Sequence, residues 1–232
     1  MLRPGYHPAL VISVIVPIRG EDPPSLPFLQ AIRNAPETEL IVAAESSTSP
    51  STMEAYREQG AAVLVCDAPR GERLSRAAAQ AQGEILLFLH ADTLLPDGWN
   101  RLVTGAIAKG AVAGAFRLAF EGSDRRLNWV AWWANLRSAI TRVPYGDQAP
   151  FVSTEVYRRI GSHRSWPLME DVELGRRLRN QGPIALLDAP AITSPRRYVE
   201  GGVLRTVMTN WATLVKFRLG ADPEDLSEAY RK

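Results

Sequence analysis

The stretch that decides the fold runs from residue 85 to residue 92 and reads ILLFLHAD. Its first five residues are apolar without interruption. Strands that are apolar on both faces belong to parallel sheets covered by helices on each side. Asp92 follows this run closely, with His90 two positions before it. The stretch therefore predicts a buried central strand that presents an acidic side chain at its carboxyl end.

Towards the N-terminus, three more short apolar runs alternate with segments of helical pattern. The runs cover residues 11–16, 40–44 and 62–65, and the helical segments cover residues 25–34, 51–59 and 72–82. This alternation predicts an α/β protein with a doubly wound, mostly parallel sheet and right-handed connections. Ligands of such sheets bind beyond the carboxyl ends of the strands. The segments expected to line a site are residues 17–22, 44–49, 67–73 and 90–92.

After Asp92 the alternation loosens. The pattern predicts a helix over residues 96–109, a strand over 112–120 and a long helix over 127–142. The long helix carries Trp129, Trp132 and Trp133, and aromatic residues at helical spacing pack in a core more often than they form a sugar platform. No flexible linker separates two units, so we predict one domain over residues 1–232. Its parts are a first half (about 11–95), a second half (about 96–200) and a helical tail (about 201–232).

Composition excludes several classes of function. The 232 residues include 27 basic and 25 acidic ones, a net charge of +2, so we expect no nucleic-acid partner. The single cysteine rules out an intramolecular disulfide and fits a reducing compartment. No apolar run approaches the roughly 18 residues that span a bilayer, and the first ten residues lack the apolar segment of a secretory signal. These features predict a cytoplasmic protein.

Two acidic signatures carry candidate chemistry. An aspartate at the end of a buried strand can place a hard oxygen on Mg²⁺ or Mn²⁺ that also binds a diphosphate, and Asp92 has this position. The same residue fits a local turn. The second signature, PLMEDVEL at residues 167–174, puts Glu170 and Asp171 at the start of an amphipathic helix. There they fit either a general base with its companion or ordinary capping of the helix dipole.

Two further segments allow more than one interpretation. The loop PYGDQAP at residues 144–150 offers Asp147 and Gln148 to a polyhydroxylated ligand, but it also fits a solvated turn. Residues 203–219 form a basic amphipathic pattern with Trp211. That pattern is typical of a helix on a membrane surface, and it equally fits a packed C-terminal helix or a contact in an oligomer.

Three strings in this order resemble glycosyltransferase family 2 with the GT-A fold. They are FLHADT at residues 88–93, PYGDQ at 144–148 and LMEDVEL at 168–174, and the similarity runs from about Ser13 to Arg218. The strings are most similar to a bacterial branch commonly labelled arsenosugar-biosynthesis-like. The resemblance implies an inverting, metal-assisted transferase that uses a nucleotide-diphosphate sugar and a hydroxyl acceptor, either a small molecule or a lipid. Residues 11–95 would then form the donor half and residues 96–200 the acceptor half.

The resemblance also assigns roles to individual residues. Asp171 matches the general base and Glu170 its companion, while His90 and Asp92 stand at the two acidic positions of the family's metal motif for Mg²⁺ or Mn²⁺. The implied donor contacts are Pro17, Glu21, Glu45, Arg70, Gly71, Ala91, Asp92, Arg196 and Arg197. The implied acceptor contacts are Tyr145, Gly146, Asp147 and Gln148. Peripheral contact with the inner face of a membrane through residues 203–219 is a further expectation.

The chain departs from the family pattern on the donor side. Ala44 and Ser49 stand where acids are expected, and Gly20 replaces the asparagine before Glu21. These departures leave two other hypotheses open. One is a protein of the same fold that binds nucleotide sugars without turnover. The other is a nucleotidyltransferase, for which residues 17–22 form a poor phosphate loop.

Overall fold

The computed structural model describes residues 10–20 and 24–231, and Glu21 lies outside them. The elements of the first half are β1 (Ile12–Ile18), α1 (Leu26–Arg33), β2 (Thr38–Ala44), α2 (Pro50–Arg57), β3 (Ala62–Val65), α3 (Arg70–Gln80) and β4 (Ile85–Phe88). Those that follow up to residue 159 are β5 (Thr93–Leu94), α4 (Trp99–Ala108), β6 (Ala113–Phe120), α5 (Arg125–Thr141), a 3₁₀ turn (Gly146–Gln148), β7 (Phe151–Ser153) and α6 (Thr154–Arg159). The last are α7 (Glu170–Arg179), β8 (Ile184–Thr193), α8 (Arg196–Gly201), α9 (Val203–Arg218) and α10 (Pro223–Arg231).

One eight-stranded sheet organises these elements, with the strand order β3-β2-β1-β4-β7-β6-β8-β5. The four strands of the first half are mutually parallel, β8 runs parallel to β6, and β7 and β5 pair antiparallel with their neighbours. The predicted α/β fold class is therefore confirmed. The parallel strands β1, β2, β3 and β4 direct their carboxyl ends to one edge of the sheet, where the segments predicted to line a site follow them.

Both faces of β1, β2 and β4 are largely buried, as the uninterrupted apolar runs predict, whereas β3 at the edge of the sheet is partly exposed. Along β1, Val14 and Val16 face one core, and Ile15 faces the other. This alternation follows from the two-residue period of a strand. Local signals set the helix starts, because Ser25 and Ser49 accept hydrogen bonds from the first-turn amides of Phe28 and Thr52.

The three tryptophans of α5 do not lie in a core, so that expectation is wrong. Trp129, Trp132 and Trp133 are each about half exposed. The buried face of α5 consists of smaller residues instead, among them Leu127 and Ala131. Helical spacing correctly predicts that the aromatic residues share a face, but it does not say which face meets water.

Candidate active site

Arg70 joins the two acidic signatures. It is the first residue of α3, and its Nη1 forms an ion pair with Glu170 at the start of α7. Its Nη2 lies 2.8 Å from Nε2 of His90, which follows β4. Glu170 is only 1% exposed, so its charge depends on this pair. Arg70 and Gly71, which precede the helix predicted over residues 72–82, are in fact part of the first turn of α3.

His90 is held as a neutral ring. Burial, together with the neighbouring Arg70 cation, lowers the pKa of His90 to about 3. A neutral Nε2 accepts the hydrogen bond that the guanidinium donates, which places the ring proton on Nδ1. The lone pair that a metal would need at Nε2 therefore faces Arg70. His90 contributes here by orienting Arg70.

Asp171 is oriented by two backbone amides. Its Oδ2 accepts a hydrogen bond of 2.6 Å from the amide of Gly146, and its Oδ1 accepts one of 2.7 Å from the amide of Val172. A Cβ at position 146 would lie 3.2 Å from Oδ2 and 3.3 Å from Nε2 of His90, so glycine permits the close approach. The three strings behind the family resemblance thus converge on one cluster: His90, Gly146, Glu170 and Asp171, with Arg70 between them.

Gly71 fixes how α3 meets α7. Its amide donates to the carbonyl of Trp166 over 2.9 Å. A Cβ at this position would overlap the carbonyl oxygen of Arg164 and lie 3.1 Å from Cβ of Glu170. The absence of a side chain therefore allows the start of α3 to pack against the segment that leads into α7.

Asp92 lies exposed on the loop after β4. Its backbone oxygen accepts a hydrogen bond from the amide of Ser194, and its Oδ1 lies 3.5 Å from Oγ1 of Thr193. Ser194 in turn accepts from the amide of Arg196, the first residue of α8. The Asp92 loop and the basic start of α8 are therefore joined.

The segment that follows β2 is held in place by hydrogen bonds from Arg73 and to Asp67. Arg73, which is buried, donates to Glu45 over 2.7 Å and to the carbonyl of Ile18 over 3.0 Å. Asp67 accepts hydrogen bonds from the side chain and amide of Ser46, and these bonds lower the pKa of Asp67. These contacts tie together the carboxyl ends of β1, β2 and β3.

The two positions at which acids of the family pattern are replaced, Ala44 and Ser49, have structural roles. Ala44 is fully buried, and Ser49 caps α2. Pro17 pairs with Ala43 near the end of β1, and Ala91 packs against the larger core.

The loop at residues 144–150 is anchored by Gln148 and also carries Tyr145 and Asp147. Gln148 is 1% exposed, donates to the carbonyl of Phe116 and accepts from Ser138, so it fastens the loop to β6 and α5. Tyr145 lies under the guanidinium of Arg137, 3.4 Å from its ring centroid. Oδ1 of Asp147 is buried and has no hydrogen-bond partner in the described part of the chain. Burial raises the pKa of Asp147, although Arg137 opposes the shift.

Two tyrosines from the C-terminal helices lie within electrostatic reach of this loop. Burial raises the pKa of Tyr198 to about 12, and the charge of Asp147 acts in the same direction. The pKa of Tyr230 is also raised, mainly by burial, with Asp171 and Asp147 contributing. Arg197 stacks on the ring of Tyr230 at 4.1 Å.

Several of these residues are not apparent from sequence patterns. Arg137 lies on α5, and the only sequence feature that relates it to the loop at residues 144–150 is its position two helical turns before that loop. Arg73 is more accessible to prediction, because it falls on the inward face of α3 with Leu74 and Ala77. The roles of Tyr198 and Tyr230 depend on how the tail folds back, which no local pattern encodes.

Within residues 10–20 and 24–231, no group of three or more histidine, cysteine or acidic side chains is arranged to hold a metal ion. Mg²⁺ is commonly bound through one or two carboxylates together with substrate phosphates, and the exposed carboxylate of Asp92 fits that requirement. None of the described helices has the length and hydropathy needed to cross a membrane.

The parallel half-sheet, the acidic residue after β4 and the carboxylates at the start of α7 define a GT-A-type protein. The sequence profile of glycosyl transferase family 2 matches residues 13–161, which is more than half of the chain. The chain therefore belongs to glycosyl transferase family 2. A search of curated protein sequences finds no significant match.

Several solved structures share the fold. TarS 1-349 from S. aureus superposes with a TM-score of 0.59 at 18% identity, covering 86% of this chain and 65% of that one. Glucosyl-3-phosphoglycerate synthase from M. tuberculosis, in complex with Mn²⁺, UDP and phosphoglyceric acid, gives a TM-score of 0.62 at 19% identity, covering 92% and 80%. A complex of TarS 1-349 with UDP-GlcNAc gives 0.58 at 18% identity, covering 80% and 58%. The chain thus spans about two thirds of the length of TarS 1-349.

Proposed function

We propose that this protein transfers a sugar from a nucleotide-diphosphate donor to a hydroxyl acceptor with inversion at the sugar carbon. Asp171 is the general base, and Glu170 with Arg70 positions it. The observation that carries this proposal is the convergence of Arg70, His90, Gly146, Glu170 and Asp171 at the edge of the sheet where α/β proteins bind ligands.

The geometry around Asp171 supports a base. Each carboxylate oxygen accepts one backbone hydrogen bond and keeps lone-pair capacity for a further donor. The rigid start of α7 and the amide of Gly146 restrict the orientation of the carboxylate. An acceptor hydroxyl that donates to Asp171 would lose its proton as its oxygen attacks the sugar carbon. The bond to the diphosphate breaks on the opposite face, which inverts that carbon.

The leaving diphosphate requires positive charge. Asp92 would hold Mg²⁺ or Mn²⁺ together with phosphate oxygens, and the ion would supply charge neutralisation. Arg196 and Arg197 follow β8 close to the Asp92 loop, which makes them candidates to bind the diphosphate. Pro17, Glu45, Gly71 and Ala91 belong to the same edge and shape the donor side.

Acceptor recognition is assigned to the loop at residues 144–150 and its neighbours. Asp147 presents a buried oxygen without a partner in the described structure, and such an atom favours a ligand hydroxyl. Tyr145, held by Arg137, offers an aromatic face. Gly146 brings the loop against Asp171, while Gln148 holds the loop in place.

A second function has one observation in its favour. Ala44 and Ser49, which replace acids of the family pattern, are committed to the core and to a helix cap. A protein that binds a nucleotide sugar without turnover would accommodate this change.

Donor hydrolysis separates these functions. The protein is incubated with UDP-, GDP-, CDP- and TDP-sugars and Mn²⁺ without an acceptor, and free nucleoside diphosphate is measured. We expect slow hydrolysis of one donor class that is lost in Asp171→Asn and retained in Asp188→Asn, an exposed matched control. Binding of a donor without hydrolysis would support the binding-only function. Pyrophosphate release from a nucleoside triphosphate and a sugar phosphate would support a nucleotidyltransferase.

A further inference from the structure

The helix α9 carries an exposed apolar stripe. Its members are spaced by 4, 7, 11 and 15 residues from the first, which places them on one face of a helix. They are Leu204, Met208, Trp211, Val215 and Leu219. Leu204 is 73% exposed and Trp211 is 64% exposed. The opposite side of α9 packs inward through Thr206 and Thr213.

A second apolar stripe lies on α5. It comprises the exposed residues Trp129, Trp132, Trp133 and Ile140. The indole of Trp133 contacts those of Trp129 and Trp132 edge to face, with centroid distances of 5.9 and 5.2 Å. The two helices are neighbours, because Val203 at the start of α9 packs against the core that the inner side of α5 helps to form.

Within the bounds of these two helices every charged residue is basic, although Arg126 of α5 is ion-paired with Asp124, the residue before the helix. Arg125–Thr141 and Val203–Arg218 contain no aspartate or glutamate, although the whole chain has 25 acidic residues. Each helix contains three basic residues: Arg125, Arg126 and Arg137 on α5, and Arg205, Lys216 and Arg218 on α9. By helical spacing, Arg218 lies at one edge of the α9 stripe, and Arg205 and Lys216 lie at the other.

Charge distinguishes between the partners that an apolar stripe can have. A second copy of this chain would bring two cationic faces together, and such a contact is unfavourable. An anionic bilayer surface provides the opposite charge, and a helix with an apolar face, basic flanks and tryptophan is suited to its interface. We propose that the stripes of α5 and α9 bind the protein peripherally to a membrane surface rich in anionic phospholipid.

The helix α9 is connected to the candidate active site. Phe217 of α9 contacts the ring of Trp166 at 5.8 Å and lies under the guanidinium of Arg176 on α7. The helix α7 also carries Asp171. Docking would therefore hold the acceptor side of the protein at the bilayer, a consequence that rests on the proposed role of Asp171.

The test is flotation of the full chain with vesicles of phosphatidylcholine alone or mixed with phosphatidylglycerol, together with tryptophan emission. We expect co-flotation with the anionic vesicles only, weakened by added salt, and a blue shift as exposed indoles enter the interface. Changing Leu204, Met208 and Trp211 to serine should abolish binding, and Leu102→Ser on α4 should not. Reversing Arg205 and Lys216 to glutamate should weaken binding by at least about tenfold, while Lys109→Glu should not.

The proposal is overturned if the wild-type chain stays with the lipid-free fraction, or if the triple variant floats as well as the wild type. It is also overturned if sedimentation without lipid shows that the wild type is a dimer and the triple variant a monomer, because the stripe is then the contact with a second copy of this chain. Far-ultraviolet circular dichroism confirms that each variant is folded. None of these readouts depends on sugar transfer, so failure here is distinguishable from failure of the proposed function.

Discussion

At the scale of single residues, the site depends on side chains whose orientation is set by very few contacts. Asp171 is held by the amides of Gly146 and Val172, and Glu170 by Arg70. Adjacent carboxylates in one helical turn therefore have different surroundings. Glu170 is buried in an ion pair, and Asp171 remains partly exposed with lone pairs available.

Replacing Asp171 with asparagine should remove the proposed base and preserve the fold. The amide oxygen of asparagine can still accept from Gly146, but it cannot take a proton. We expect turnover to fall by about 10²- to 10⁴-fold, with little change in nucleotide affinity. Steady-state kinetics and calorimetry on the same samples measure both. An unchanged turnover number would exclude Asp171 as the base.

His163 should make stability depend on pH. It is 7% exposed and contacts Tyr157 and Phe88, and burial lowers its pKa to about 3. Below the ordinary histidine pKa of about 6.5, the unfolded chain binds a proton that the folded chain does not. Stability should therefore fall as the pH falls from about 6.5 towards 3, by up to about 1.4 kcal/mol per pH unit for one such group.

Urea unfolding at several pH values checks this prediction. The free energy of unfolding of the wild type minus that of His163→Phe should fall as the pH is lowered. The reason is that phenylalanine, unlike histidine, has no group whose protonation favours the unfolded chain. A difference that stays constant from neutral pH to pH 4 would contradict the account.

At the scale of elements, Arg70 braces α3 against both the end of β4 and the start of α7. Replacing it with glutamine leaves Glu170 buried without a cation. Loss of one partner of a buried ion pair costs about 3–5 kcal/mol. We expect a loss of that order in the free energy of unfolding for Arg70→Gln.

A double-mutant cycle tests whether this loss comes from the pair. Arg70→Gln combined with Glu170→Gln should be less destabilised than the sum of the two single variants, since no uncompensated charge remains. Additive effects would show that Arg70 and Glu170 do not stabilise one another.

Gly71 and Gly105 form a matched pair for testing the contact between α3 and the segment before α7. Alanine at Gly71 would collide with the carbonyl of Arg164, whereas a Cβ at Gly105 meets nothing within 4 Å. Gly71→Ala should destabilise the protein and lower activity. Gly105→Ala, inside α4, should be neutral or stabilising by up to about 1 kcal/mol. Thermal unfolding measures both, and equal effects would refute the steric argument.

Elements with local signals are the part of the fold that sequence predicts. Ser25 marks the start of a predicted helix, and the apolar run at residues 85–89 identifies β4. The family strings also identify the residues that meet at the site. The Arg70–Glu170 pair, which spans 100 positions, and the neutral state of His90 arise from tertiary packing that local patterns do not contain. The exposure of the α5 tryptophans escapes prediction because the apolar pattern of that helix is nearly uniform around its axis.

At the scale of the whole molecule, we propose a donor half on the parallel strands and an acceptor half on α5, α7 and the loop at residues 144–150. The two halves meet where Arg70 links the end of β4 to the start of α7. The proposed chemistry requires Asp92 and Asp171 to face their respective substrates.

The most direct test is titration calorimetry of UDP, GDP, CDP and TDP with and without Mn²⁺, on the wild type, Asp92→Ala and Asp97→Ala. Asp97 is an exposed acid on the same segment and serves as the control. The account predicts metal-dependent binding of one nucleotide, weakened at least about tenfold in Asp92→Ala and unchanged in Asp97→Ala. Binding that is independent of both metal and Asp92, or no nucleotide binding by folded protein, would contradict it.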